Sequence, residues 1–263
     1  MIISFKKRQF LIMWLAGFAG VLSFLLLDIG EGIEILPSSV EVPPMPFGLI
    51  KVLSLIQPTV ILTFAVLVGI SLAPKAGLSA PVAEALAEKR PWFEALRPLI
   101  VPGVVGGFVG GMAIVAITAA TKPFLSAEAI ELIGRFGRLM PLPTRLLYGG
   151  ITGELLLRWG FMTLLVWLAC RLIQRNENKP ASWTYIAAIL ISSLVFGIGH
   201  LPIAFMLFPD PTAALIIFVI AANSAFGLVA GLLYWKRGLE SAIIAHTVTH
   251  IILFTASNLG DYF

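Results

Sequence analysis

The chain has 263 residues, of which 59% are hydrophobic and 12% charged, and its mean hydropathy is +0.97. A soluble domain carries about one-quarter charged residues, so this composition excludes an ordinary water-soluble enzyme and makes lipid the main solvent. The net charge of +4 and the pI near 9.4 follow from the placement of Lys and Arg around membrane segments and give no reason to expect a nucleic-acid partner.

A spanning helix needs about 20 apolar residues. Candidates lie at about 10–27, 48–72, 100–120, 148–173, 184–207, 213–235 and 239–258, and they consume nearly the whole chain. The expected fold is therefore all-α: one membrane domain over 1–263, a polytopic bundle of about seven transmembrane helices with short interfacial helices. The first segment follows Lys6, Lys7 and Arg8 but is long and has no small-residue cleavage site, so it reads as a retained anchor. Residues 28–47, with Asp28, Glu31, Glu34 and Glu41, read as an acidic irregular loop. Residues 74–98 contain an amphipathic stretch at 82–89, expected to lie at the interface, and 121–147 could hide a further interfacial helix or a re-entrant piece.

The third segment carries Gly103, Gly106, Gly107, Gly110 and Gly111, a small-residue side on which another helix can pack closely. Cys170 is the lone cysteine, which rules out an internal disulfide and a thiolate metal cluster. Positive residues fall mainly on one face: Lys6, Lys7, Arg8, Lys75, Lys89, Arg90, Arg97, Arg171, Arg175, Lys179, Lys236 and Arg237. The other face has Lys122, Arg135, Arg138 and Arg145, so the N-terminus is expected in the cytoplasm of a multi-pass cell-membrane protein.

Ionisable groups inside spanning segments cost some 2.5–3.5 kcal/mol at a helix centre and usually mark function. Here they gather on three segments: Glu154 and Arg158 on the fourth, His200 on the fifth, His246 and His250 on the seventh. Glu154 and Arg158 are four apart, so on a helix they face one way and can pair. His246 and His250 share the same spacing. Gly197 and Gly199 flank His200 and Pro202 follows it, which suggests a kinked helix and a cavity beside the ring. Asn223 and Lys51 stand apart, the first a possible lining residue and the second near enough to a segment end to snorkel.

In order, the chain reads Gly-Glu-Leu-Leu-Leu-Arg-Trp-Gly at 153–160, Phe-Gly-Ile-Gly-His at 196–200 and His-Thr-Val-Thr-His at 246–250. This resembles the three-motif signature of the CAAX prenyl protease and bacteriocin-processing (Abi) family, over a motif-bearing core at 148–258. The resemblance implies a metal-independent intramembrane glutamate endopeptidase without a cofactor, acting on a peptide or membrane-anchored protein in the bilayer. By that resemblance a Glu and His200 activate water, His246 and His250 donate to the oxyanion, and Arg158 holds the carboxylate charged.

Two positions depart from the family pattern. Glu154 aligns with the second Glu of EExxxR and Gly153 stands where the first would be, so the chain is a variant that uses Glu154, an inactive relative, or a deliberately altered form. His250 replaces Asn, a milder change because imidazole can also donate. Two other classes stay open: a metal-binding membrane protein using one Glu and three His as ligands, and a non-enzymatic transporter or scaffold that uses the same buried polar cluster.

Overall fold

The computed structural model describes residues 2–38, 40–41, 44–174 and 180–258. Arg175 and Lys179, counted above in the positive bias, lie outside the described residues. Among the described residues the chain is helical without strands, and seven helices are long and apolar enough to cross a membrane. They run over Phe5–Leu26, Phe47–Leu72, Trp92–Phe124, Leu142–Leu172, Ser182–Leu207, Ala213–Arg237 and Leu239–Ser257. The protein is thus an all-α, multi-pass membrane bundle. Its outer surface is apolar, with Phe64, Val101, Phe108 and Ile217 each more than half exposed, as lipid-facing side chains should be.

The third span begins at Trp92, earlier than hydropathy alone marks, and runs through Pro98 and Pro102 without a break. Its glycines form a packing face as the spacing suggests. A methyl group at Gly107 would sit 2.6 Å from both Ala245 O and Val248 Cβ, and one at Gly103 would sit 2.7 Å from Ile244. Bare backbone there lets the seventh span lie directly on the third. Thr249 Oγ1 donates to Gly107 O at 2.9 Å and locks the contact. This contact fixes the helix that carries His246 and His250.

Connections tie together at two ends. At one end a helix over Pro81–Glu88 starts with Pro81, receives Glu84 Oε1 on Ala80 N (3.0 Å), and ends at Lys89 in the left-handed conformation (φ 59). Glu240 of the seventh span accepts from Val82 N (3.0 Å) and Ala83 N (2.9 Å), so a carboxylate sits on that helix N-terminus. Tyr185 OH donates to Ala76 O (2.8 Å) at the same end. At the opposite end Thr144 Oγ1 donates to Ser23 O (3.0 Å), and Lys51 Nζ reaches Leu25 O (3.0 Å) from an exposed position.

Two connections hold more structure than hydropathy shows. Residues 28–47 include a short helix over Ile29–Glu34, capped by Asp28. The 121–147 connection contains the amphipathic helix Ala127–Leu139, whose N-cap Ser126 accepts from Ala129 N at 3.1 Å. Arg145 closes its C-terminal end by donating to Met140 O (3.0 Å) and Gly137 O.

Candidate active site

The fourth span is not a regular α-helix where its motif lies. Arg145–Thr152 and Leu155–Met162 are π-helical, and Gly153 N donates back to Tyr148 O across five residues. Such widened turns are rare and concentrate at functional sites. Close packing anchors the run: Thr152 Oγ1 donates to Gly17 O (2.7 Å), and the buried Trp159 indole fills the space that a side chain at Gly69 would need.

Glu154 and Arg158 are both fully buried at 0% exposure, and Arg158 Nε lies 3.3 Å from Glu154 Oε2. The guanidinium also donates to Gly227 O of the sixth span at 3.0 Å and lies 5.4 Å above the Phe196 ring. Glu154 Oε1 accepts from His246 Nδ1 at 2.7 Å. Oε1 is thus hydrogen-bonded to His246, while Oε2 has Arg158 as an ion-pair partner but no hydrogen bond. A carboxylate on Nδ1 fixes the imidazole tautomer and orientation.

His200 sits at the break between the helices Ser182–Ile198 and Leu201–Leu207, with Pro202 in the first turn of the second. Its Nδ1 donates to Phe196 O at 2.8 Å, since a carbonyl can only accept. In the neutral ring that leaves the lone pair on Nε2, the arrangement of a general base. Gly197 serves another purpose than clearing space beside the ring. A side chain there would strike Ile220 O at 2.6 Å, so this glycine lets the sixth span approach.

His246 and His250 stack with ring centroids 4.8 Å apart and planes 13° from parallel. Phe196 meets His200 edge-on at 4.8 Å and His246 at 5.8 Å, while Phe226 lies 4.3 Å from His246. One aromatic side chain thus touches the three polar elements of the site: its ring meets His200, His246 and Arg158, and its carbonyl holds His200. Across from the imidazoles, a side chain at Gly149 would overlap His250 Nε2, whereas one at Gly153 would find nothing nearer than Tyr148 O at 3.5 Å and His246 Cε1 at 3.8 Å. Asn223 donates to Val219 O (2.8 Å) in its own helix.

The structure therefore brings Glu154 together with Arg158 by an ion pair and with His246 by a hydrogen bond, with His250 stacked on His246 and His200 joined through Phe196. Residues 136–252 match the family model Rce1-like, type II CAAX prenyl endopeptidase. That stretch contains all three motifs, and the matching model is of the family they resemble. No match was found among curated proteins or among solved structures. Among the described residues, no group of three or more His, Cys, Asp or Glu is arranged to hold a metal ion.

Within this Rce1-like region, three contributors were not singled out from sequence. Phe196 is the first residue of the second motif, but its place as a common neighbour of His200, His246 and Arg158 is a tertiary contact that the sequence does not display. Gly149 carries no signal in the sequence beyond its small size, and Gly227 contributes a backbone carbonyl, which carries no side-chain signature.

Proposed function

We propose that this protein is a metal-independent intramembrane endopeptidase of the CAAX prenyl type, weakened by Gly153, that cleaves a peptide close to its membrane anchor. The observation that carries this reading is the buried Arg158–Glu154–His246 unit beside a His200 ring whose Nε2 is free of the Phe196 carbonyl. A charged pair this deep is costly unless fully partnered, and here it holds an imidazole in one orientation.

The chemistry then runs through side chains of this chain. His200 Nε2 takes a proton from a water, whose oxygen adds to the scissile carbonyl carbon. His246, held in one orientation by Glu154, donates from Nε2 to the oxygen as it becomes negative when that nitrogen carries a proton taken up from the medium before the substrate binds. The proton held by His200 passes to the leaving nitrogen, and the C–N bond breaks. Glu154 acts as the positioning carboxylate, because its Oε1 is hydrogen-bonded to His246 and its Oε2 faces the Arg158 guanidinium. The water lacks a carboxylate of its own, which is why the reading is of a weakened enzyme. The positive residues on the Lys75 and Lys236 side support a cytoplasmic N-terminus.

A non-hydrolytic peptide binder is the second reading, favoured by the full burial of Glu154 and its ties to His246 and Arg158. Cleavage of membrane-anchored peptides by the purified chain separates the two. Slow cleavage abolished by His200→Ala supports the peptidase, and binding of the same peptides without any cleavage supports the binder.

A further inference from the structure

The fifth span breaks at its motif, and the break leaves backbone without partners. Pro202 has no N–H to give the Ile198 carbonyl. Gly199 N donates to Val195 O at 2.8 Å and His200 N to Gly197 O at 3.2 Å, and the ladder resumes only with the long contact from Ala204 N to His200 O at 3.5 Å. Among the described residues, nothing donates to the carbonyls of Ile198 and Gly199. The break lies inside the apolar run Ser182–Leu207, about 12 Å of helix short of its end, where lipid tails offer no donor.

The same stretch is open on its outer side. Ile198 is 45% exposed, and Gly199 is exposed as well. The two glycines of the motif therefore differ. Gly197 is closed off by the sixth span, whereas a Cβ at Gly199 would meet Val195 O at 3.2 Å and Phe196 O at 3.5 Å, both on its own helix, and no atom of another span within 4 Å. The Gly199 backbone is ordinary helical, with φ −61 and ψ −14, so conformation does not demand a glycine either. What the bare residue provides is access to the backbone beside His200 from the bilayer side.

We propose that the Ile198–Gly199 edge is a docking site for the main chain of an extended peptide, which donates an N–H to one of the two carbonyls and so lays the bond to be cleaved beside His200. A helical peptide has already spent its N–H groups on its own carbonyls. The occupant is thus an unwound stretch of a membrane-anchored peptide, paired through its backbone. Such pairing tolerates many side chains and refuses proline at the paired residue, because proline has no N–H. The two carbonyls hold the peptide and take no part in the bond changes. The inference rests on the reading that the protein takes anchored peptides and adds the contact that fixes their register.

The test uses the full chain in lipid vesicles and a fluorescent membrane-anchored peptide whose amides near the cleaved bond are replaced one at a time by esters, each removing one N–H. Binding is read by energy transfer before cleavage becomes appreciable. One ester position should weaken binding roughly fivefold, the worth of one net hydrogen bond, while its neighbours change little. Pro202→Ala restores an N–H at 202 and lets the fifth span run on as a helix, so the Ile198 carbonyl pairs internally and that ester penalty should disappear. Comparing the penalty between parent and variant also cancels the ester's effect on its own carbonyl. Gly199→Leu covers the edge with a side chain and should likewise lose the penalty, which keeps the test intact if Pro202→Ala does not fold. The inference is overturned if the parent binds the peptide and no ester position matters, or if the penalty persists in full in the variants that fold. Cleavage by the parent in either case leaves the peptidase reading standing. A parent that neither binds nor cleaves any anchored peptide overturns both.

Discussion

Glu154 Oε1 accepts a hydrogen bond from His246 Nδ1 at 2.7 Å, and Glu154 is fully buried while His246 keeps 4% of its exposure. The carboxylate is thereby shared between an imidazole on the seventh span and Arg158 on its own. A reaction that needs an ionised Glu as water base would have to break one of these contacts. The same contacts make Glu154 a fixed counter-charge.

Removing one partner of this unit strands the other. Glu154→Gln leaves the Arg158 guanidinium as a buried charge without a carboxylate, at a cost of about 3–5 kcal/mol. Replacing both, as Glu154→Gln with Arg158→Met, should cost less than the sum of the two single changes. Thermal unfolding in one detergent, read for the four members of the cycle, checks this. Strict additivity would mean that the pair is not coupled.

The two glycines facing the imidazoles should respond in opposite directions to the same change. Gly149→Ala drives a methyl group into His250 and should lower the melting temperature. Gly153→Ala meets only ordinary contacts and should hold or raise it, because Ala in a helix is favoured over Gly by about 1 kcal/mol. Equal destabilisation at both positions would show that the flank of Gly153 is closed.

Much of the bundle was legible in the sequence because lipid imposes a length and a polarity on every span, and each of the seven hydropathy segments has its helix. The clustering of Glu154, Arg158, His200, His246 and His250 was legible for the same reason, since charge in hydrocarbon needs partners. Which partner each residue takes was not. A 3.6-residue wheel puts Glu154 beside Arg158 but says nothing of His246, 92 positions away, and the π-helical turns on both sides of Gly153 distort the wheel itself. Those turns depend on contacts from the first and second spans, such as Gly17 O and Gly69, which local sequence does not display.

Metal should not be needed. Glu154 is held by Arg158 and His246, so the one carboxylate of the cluster is not free to become a ligand. Chelator treatment should leave peptide cleavage unchanged. Stoichiometric zinc in the purified protein, lost on His246→Ala or His200→Ala, would contradict this.

Orientation follows from the placement of Lys and Arg. Cysteines placed at Ser38 and Lys75, with Cys170 changed to Ala, should label from opposite sides of the membrane, Lys75 from the cytoplasmic side. Labelling of both from one side would overturn the seven-span path.

The most direct measurement compares cleavage of a membrane-anchored peptide by the parent and by Gly153→Glu, with thermal stability recorded for both. A Cβ at 153 meets only ordinary contacts, one of them His246 Cε1 at 3.8 Å, so a carboxylate carried there is expected to raise cleavage at least a hundredfold, about 2.7 kcal/mol, in a variant that is no less stable. That gain should vanish when His200→Ala is added. A stable Gly153→Glu variant that cleaves no better than the parent, with neither cutting any anchored peptide, would contradict the peptidase reading and leave a membrane protein that uses this buried cluster to bind.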